Sequence, residues 1–165
     1  MNIMRKPFAH SIFAALILGA VTLPALAKDS GVAVAVDDPD MAAAIEAARE
    51  TLDNVLERKA TGGIPAEALS LKVAIPKEGG GVERIYLNGI VQIDETTFEG
   101  LLANDPSALP DLKMGDRYRF THDQIVDWLF VANGQMHGSY TLRVMLPKLP
   151  KAQADQFRAM LAPLP

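Results

Sequence analysis

A change of hydrophobic period near residue 62 constrains this chain more than any other feature. Before it, Met41, Ile45, Ala48, Leu52 and Val55 or Leu56 recur at intervals of four and three, which lays one apolar stripe along a helix. After Pro65, Leu69, Leu71, Val73 and Ile75 alternate with Ser70, Lys72 and Ala74, the pattern of a strand with one buried face. Asp38 can cap the helix. Pro39 suits its first turn, where a missing N–H costs nothing, and Asp40 sits favourably at the positive end of the dipole. Arg58 and Lys59 suit the other end, and Gly62-Gly63 stop it, so the helix is predicted over Asp38 to Lys59.

The rest of the chain reads as strands. After a glycine-rich loop over residues 76–81, Ile85, Leu87, Val91 and Ile93 are expected to share a face, with Gly89 as a bulge. Residues 97–103 make a third strand, expected to be broken at Gly100, and residues 104–115 with Pro106 and Pro110 make a long surface loop. Residues 117–121 form a fourth strand, 122–125 a turn of helix or a corner, and 127–132 a fifth strand holding Trp128, the single tryptophan. Asn133-Gly134 is the strongest hairpin signal, since both residues accept the positive φ of a type I′ turn. A two-residue loop there pairs Ala132 with Gln135 and Phe130 with His137. Beyond Gly138, alternating Tyr140, Leu142, Val144 and Leu146 predict another strand. Pro147 and Pro150 end the sheet, and residues 151–161 form a short helix with Phe157, Met160 and Leu161 to bury.

The first 27 residues read as an address. Arg5 and Lys6 precede the apolar run from Ser11 to Val21, and Ala25-Leu26-Ala27 is the small-x-small pattern that signal peptidase admits. The run is shorter than the roughly 20 residues that cross a bilayer, so a cleaved signal peptide (1–27) and no membrane span after cleavage are expected. Residues 28–37 read as a flexible leader and 38–165 as one domain. Cleavage removes Arg5 and Lys6 and no acid, taking the net charge from −4 to −6. No basic block suited to neutralising phosphates is present, so no nucleic-acid partner is expected. With no cysteine, disulfides, thiolate nucleophiles and cysteine metal sites are excluded.

The second half carries Asn104-Asp105-Pro106, Leu112-Lys113-Met114-Gly115-Asp116, Ile125-Val126-Asp127-Trp128 and Gly138-Ser139-Tyr140-Thr141-Leu142-Arg143. In that order and spacing, with Ala48-Arg49 and Lys72 as earlier landmarks, the chain resembles the YegJ-like domain of unknown function (domain-of-unknown-function family 2314) over about residues 40–146. The resemblance implies a small α+β domain, often exported, with no agreed activity; some related families look like immunity proteins of toxin systems. One departure stands out. Where the family pattern is expected to read Glu-His-Ile-Trp, this chain has Glu83-Arg84-Ile85-Tyr86, so a metal role for that histidine does not carry over.

Chemistry-bearing constellations are weak. His122 and His137 lie near Asp123 and Ser139, yet no G-x-S-x-G elbow and no H-E-x-x-H helix accompanies them. Gly79-Gly80-Gly81 lacks the Lys-Ser or Lys-Thr of a phosphate loop and reads as a turn. Asp94, Glu95 and Glu99, or Asp123 and Asp127, are the carboxylates from which a glycosidase pair could be drawn. The most informative set is Asp127, Trp128, Tyr140 and Arg143, which the hairpin brings to one corner of the sheet. There Trp128 is either core, with Asp127 salt-bridged to Arg143, or part of a recognition surface rimmed by the loop beginning at Asn104, since Trp, Tyr and Arg dominate binding hot spots.

The fold expected is α+β: a strongly bent antiparallel sheet of five to seven strands, or a partly open small barrel, with the long helix packed on it and a short C-terminal helix. The function expected is a periplasmic or secreted, non-enzymatic binding domain of the cell envelope with an envelope protein partner. Its binding residues are Asp127, Trp128, Tyr140, Arg143 and Asn104, and neither catalytic residues, metal nor cofactor are assigned. Two alternatives are a cell-envelope hydrolase using a carboxylate pair and an inhibitor or immunity-type protein that blocks a partner enzyme.

Overall fold

The computed structural model describes residues 38–165. The signal peptide and the leader expected over 1–37 lie outside the described residues. Helix α1 (Pro39–Ala60) begins where the sequence places it: the Asp38 side chain accepts from the Asp40 and Met41 amides, and the basic pair Arg58 and Lys59 occupies the last turn. Its apolar stripe buries Ala48, Leu52 and Val55. Enclosing Leu52 and Val55 contributes roughly 1.5 to 3 kcal/mol each.

Six strands follow: β1 (Leu69–Pro76), β2 (Val82–Gln92), β3 (Thr97–Leu102), β4 (Arg117–Thr121), β5 (Ile125–Ala132) and β6 (Gln135–Gly138). They form one antiparallel sheet in the order β4-β3-β2-β1-β5-β6, open at β4 and β6. Strands β1 to β4 form a meander, and β5 then returns to the other side of β1. Leu102, Leu87, Leu71 and Trp128 pair in one row across β3, β2, β1 and β5, and all four are buried. This inner face carries α1. The Trp128 indole donates to the Ala48 carbonyl at 3.0 Å, and Arg49 donates to the carbonyls of Ile125 and Asp123 at 3.0 and 2.7 Å.

Two glycines act differently from each other. Gly89, at φ +61°, sits in a register shift between Asn88 and Val91, the expected bulge. One consequence departs from the expected pattern: the shift turns Ile90 inward and leaves Val91 and Ile93 exposed, because one extra residue exchanges the faces of everything after it. Gly100 does not break β3. It stays in register opposite Tyr118, and a Cβ there would lie 2.9 Å from Ile90 Cδ1 and 3.1 Å from Leu87 Cβ, so its lack of a side chain is what admits the neighbouring strand.

The largest correction follows β6. The predicted strand over Tyr140 to Leu146 is instead helix α2 (Tyr140–Met145), then a 3-10 turn (Leu146–Lys148) and helix α3 (Lys151–Met160). Gly138 and Ser139 are consecutive left-handed residues, at φ +78° and +55°, and after a last bond from the Ser139 amide to the Trp128 carbonyl at 2.9 Å they turn the chain out of the sheet. Seven residues are enough for a short strand or for about two turns of helix, so periodicity alone could not decide this segment. The chain then returns beside β6, where Leu161 bridges to Met136 in parallel and the Ala162 amide donates to the Met136 carbonyl at 3.0 Å.

Candidate functional site

The corner predicted from Asp127, Trp128, Tyr140 and Arg143 exists, but its parts do different work. Asp127 is wholly buried on β5. One carboxylate oxygen accepts from the amides of Trp128 and Tyr140 at 2.8 and 3.1 Å; the other accepts from the Thr141 amide and hydroxyl at 2.8 and 2.6 Å. Asp127 thus caps α2 from a neighbouring strand, while Ser139, at the cap position itself, makes no side-chain cap bond. Burial pushes the Asp127 carboxyl above the ordinary aspartate range, opposed by the Thr141 hydroxyl and amide and by the charge of Lys72. Lys72 pairs with Asp127 across the strands and reaches the Thr141 hydroxyl at 3.5 Å. The salt bridge considered between Asp127 and Arg143 is absent. Arg143 donates instead to the carbonyls of Gly138 and Ala162, at 3.2 and 2.6 Å, and ties the returning chain to the Gly138 reversal.

Trp128 and Tyr140 point to the inner face. Tyr140 meets the indole edge-on at 5.7 Å, and its hydroxyl lies 3.0 Å from the Thr51 hydroxyl, which itself accepts from the indole at 3.1 Å. Trp128 heads a row of stacked rings: Phe130 lies 5.9 Å away at 10°, and His137 lies 4.7 Å beyond Phe130 at 5°. The predicted pairing of Phe130 with His137 produces this row. It floors a cleft of about 360 Å³ between α1 and the β5–β6 hairpin, within the size range of small-ligand sites. Glu50, Asn54 and Arg58 form its helical rim, and Pro163 and Pro165 stand on the opposite side. The Arg58 guanidinium lies over the Phe130 ring at 5.5 Å. The sequence marks Arg58 only as suited to the helix C-terminus, and Glu50 and Asn54 not at all. Their spacing of four along α1, beside the apolar stripe, is the signal that could have found them.

The remaining candidates lie elsewhere. Asn104 follows β3, separated from Trp128 by β2 and β1, so its loop does not rim the corner. That loop is held down by Glu83, which accepts from the Ser107 and Ala108 amides at 2.7 and 2.8 Å, and by Leu109 and Leu112, which pack on the core. His122 pairs with Asp53 at 3.1 Å. Gly79-Gly80-Gly81 is a turn with all three residues at positive φ. The considered carboxylates are engaged locally: Asp94 accepts from the Thr96 and Thr97 amides, Glu99 pairs with Arg117 and Arg119, and Asp123 accepts from the Thr121 hydroxyl. Among the described residues no group of three or more His, Asp or Glu could hold a metal ion, and no helix is long and apolar enough to cross a membrane.

The sequence profile of a family described as "Uncharacterized protein conserved in bacteria (DUF2314)" matches residues 38–162. "Uncharacterized protein YegJ" of Escherichia coli (strain K12) is 27% identical over 125 residues, covering 76% of this chain and 79% of that protein. A "Putative ankyrin repeat protein" of Neisseria meningitidis serogroup B (strain ATCC BAA-335 / MC58) is 31% identical over 72 residues, which is 41% of this chain but 28% of that protein. No solved structure matches the chain significantly.

Proposed function

The chain belongs to that family of uncharacterized bacterial proteins, and from this premise we propose that it is an exported, non-enzymatic binding domain of the cell envelope whose ligand or partner engages the cleft over Phe130 and His137. The observation that carries the reading is the cleft itself, about 360 Å³ in volume and lined both by the stacked Phe130 and His137 rings and by Glu50, Asn54 and Arg58. The partly buried His137 ring, fixed by its stack on Phe130, offers contact at little entropic cost, and Glu50, Asn54 and Arg58 supply orientation. The binding set moves accordingly. Trp128 lines the cleft and Tyr140 supports it edge-on from the core, while Asp127 and Arg143 hold the chain reversal that presents His137 and Gly138. The export half rests on Arg5 and Lys6, the apolar run to Val21 and Ala25-Leu26-Ala27. The non-enzymatic half is supported by the local engagement of the carboxylates at Asp94, Glu99, Asp123 and Asp127.

The test has two arms. Cells expressing the full chain are fractionated, and the mass of the recovered protein shows whether about 27 residues are removed; an unprocessed cytosolic product overturns export. Immobilised protein is then challenged with envelope extract beside a His137→Ala variant of unchanged circular dichroism. A ligand or partner held by the native protein and lost from the variant is the expected result. Equal retention by both removes the cleft from the binding function.

A further inference from the structure

We propose that the cleft takes a short zwitterionic peptide of three or four residues, its ammonium at Glu50, its carboxylate at Arg58 and an apolar side chain on the Phe130–His137 floor; this rests on reading the cleft as a binding site. The opposite charges stand at the two ends of one rim. Eight residues of helix separate them by about 12 Å along the axis, and three extended residues span about 10 Å, so the two ends of a tripeptide match the spacing of the two charged side chains. Asn54 lies midway, and its amide can both donate to and accept from a peptide backbone. All three rim residues are exposed. Among the described residues, Glu50 and Asn54 make no side-chain hydrogen bond or ion pair, and Arg58 contributes its charge only to the face of Phe130. The rim therefore carries one charge of each sign, neither in an ion pair among the described residues, beside the partly buried His137 ring, which suits an aliphatic or aromatic side chain. An anion alone would leave Glu50 opposing it, and a cation alone would meet Arg58; a ligand carrying both charges at this spacing answers both.

The experiment is calorimetric titration of the purified protein with Ala-Leu-Ala bearing free ends, and with its N-acetylated, C-amidated and doubly blocked forms. Trp128, the single tryptophan, gives a second readout by fluorescence because Phe130 stacks directly on it. The free peptide is expected to bind, and blocking either end to weaken binding about tenfold, as for one hydrogen-bonded charge. Glu50→Gln should abolish the difference between free and acetylated peptide and leave the effect of amidation; Arg58→Gln should do the reverse. Both substitutions are at exposed helix positions, and circular dichroism confirms that the variants fold. Equal binding of free and doubly blocked peptide overturns end recognition while leaving a binding cleft. Failure of every peptide, with an envelope ligand still lost from His137→Ala, overturns the peptide proposal and keeps the broader reading. Failure of both the peptides and the envelope extract overturns both.

Discussion

The two ends of the sheet hold their charges in opposite ways. At β5, Asp127 is shut from solvent and takes four hydrogen bonds, from the backbone amides of Trp128, Tyr140 and Thr141 and from the Thr141 hydroxyl. At the β3–β4 edge, Glu99 pairs with Arg117 and Arg119 at 2.8 and 3.1 Å, but those arginine side chains are 75% and 70% exposed. Water can replace either arginine at the second site with little loss. At the first, no solvent is at hand to replace the carboxylate, so removing it leaves buried N–H groups without partners. The buried charge therefore decides where the chain turns, whereas the exposed one only decorates a ladder that pairs regardless. The difference matters to the cleft, because the turn that Asp127 enforces also places Gly138 and His137 along its edge.

Four measurements would break or sharpen this contrast. Asp127→Ala should have the largest effect, a loss of about 3 to 5 kcal/mol in urea unfolding, as for one partner removed from a buried charged network; a loss no greater than that of Glu99→Ala would end the comparison. Gly138→Ala comes next. Its φ of +78° and a Cβ only 2.3 Å from the Trp128 carbonyl oxygen force the reversal and the indole apart, at a cost of about 2 to 4 kcal/mol, with a shifted Trp128 emission. Thr141→Val keeps the shape but deletes the 2.6 Å bond to Asp127, and chemical unfolding should register about 1.5 to 3 kcal/mol.

The smallest effect is one of slope with pH. Glu99 is held below the ordinary glutamate range by hydrogen bonds from Arg117 and Arg119, so its contribution is present above that range and is lost as pH falls through its lowered value. Asp127 is pushed upward by burial, so its contribution is fully present below the ordinary aspartate value and declines as pH rises through its raised one. The stability difference between native protein and Glu99→Gln should therefore grow with pH, and that between native protein and Asp127→Asn should shrink, in unfolding titrations from about pH 3 to 7. Slopes of the same sign would show that the four donors outweigh burial at Asp127.

Long periodic segments were legible without coordinates. The α1 stripe with its Asp38 cap, the alternation of β1 and the Asn133-Gly134 hairpin each rest on local chemistry that repeats over many residues or on a turn with one demanding geometry. The family resemblance marked Ala48-Arg49 and Lys72, and each proves to meet β5 or its start: Ala48 accepts from the Trp128 indole, Arg49 donates to the carbonyls of Ile125 and Asp123, and Lys72 stands across from Asp127. Short segments were less legible. Residues 140–146 carry too few residues for either period to prevail, and the contact that settles them comes from Asp127, thirteen residues upstream of Tyr140.

The sequence by itself thus determined the class of fold, the long helix, the order of the first strands and the hairpin that pairs Phe130 with His137. The tertiary structure decided which face Val91 and Ile93 take, that the chain turns into α2 after Gly138, and that Glu50, Asn54 and Arg58 overlook a row of rings. The reason is range. Propensity, capping and alternation act between residues a few positions apart, whereas a cleft exists only once α1 and the β5–β6 hairpin, some eighty residues apart, have packed together.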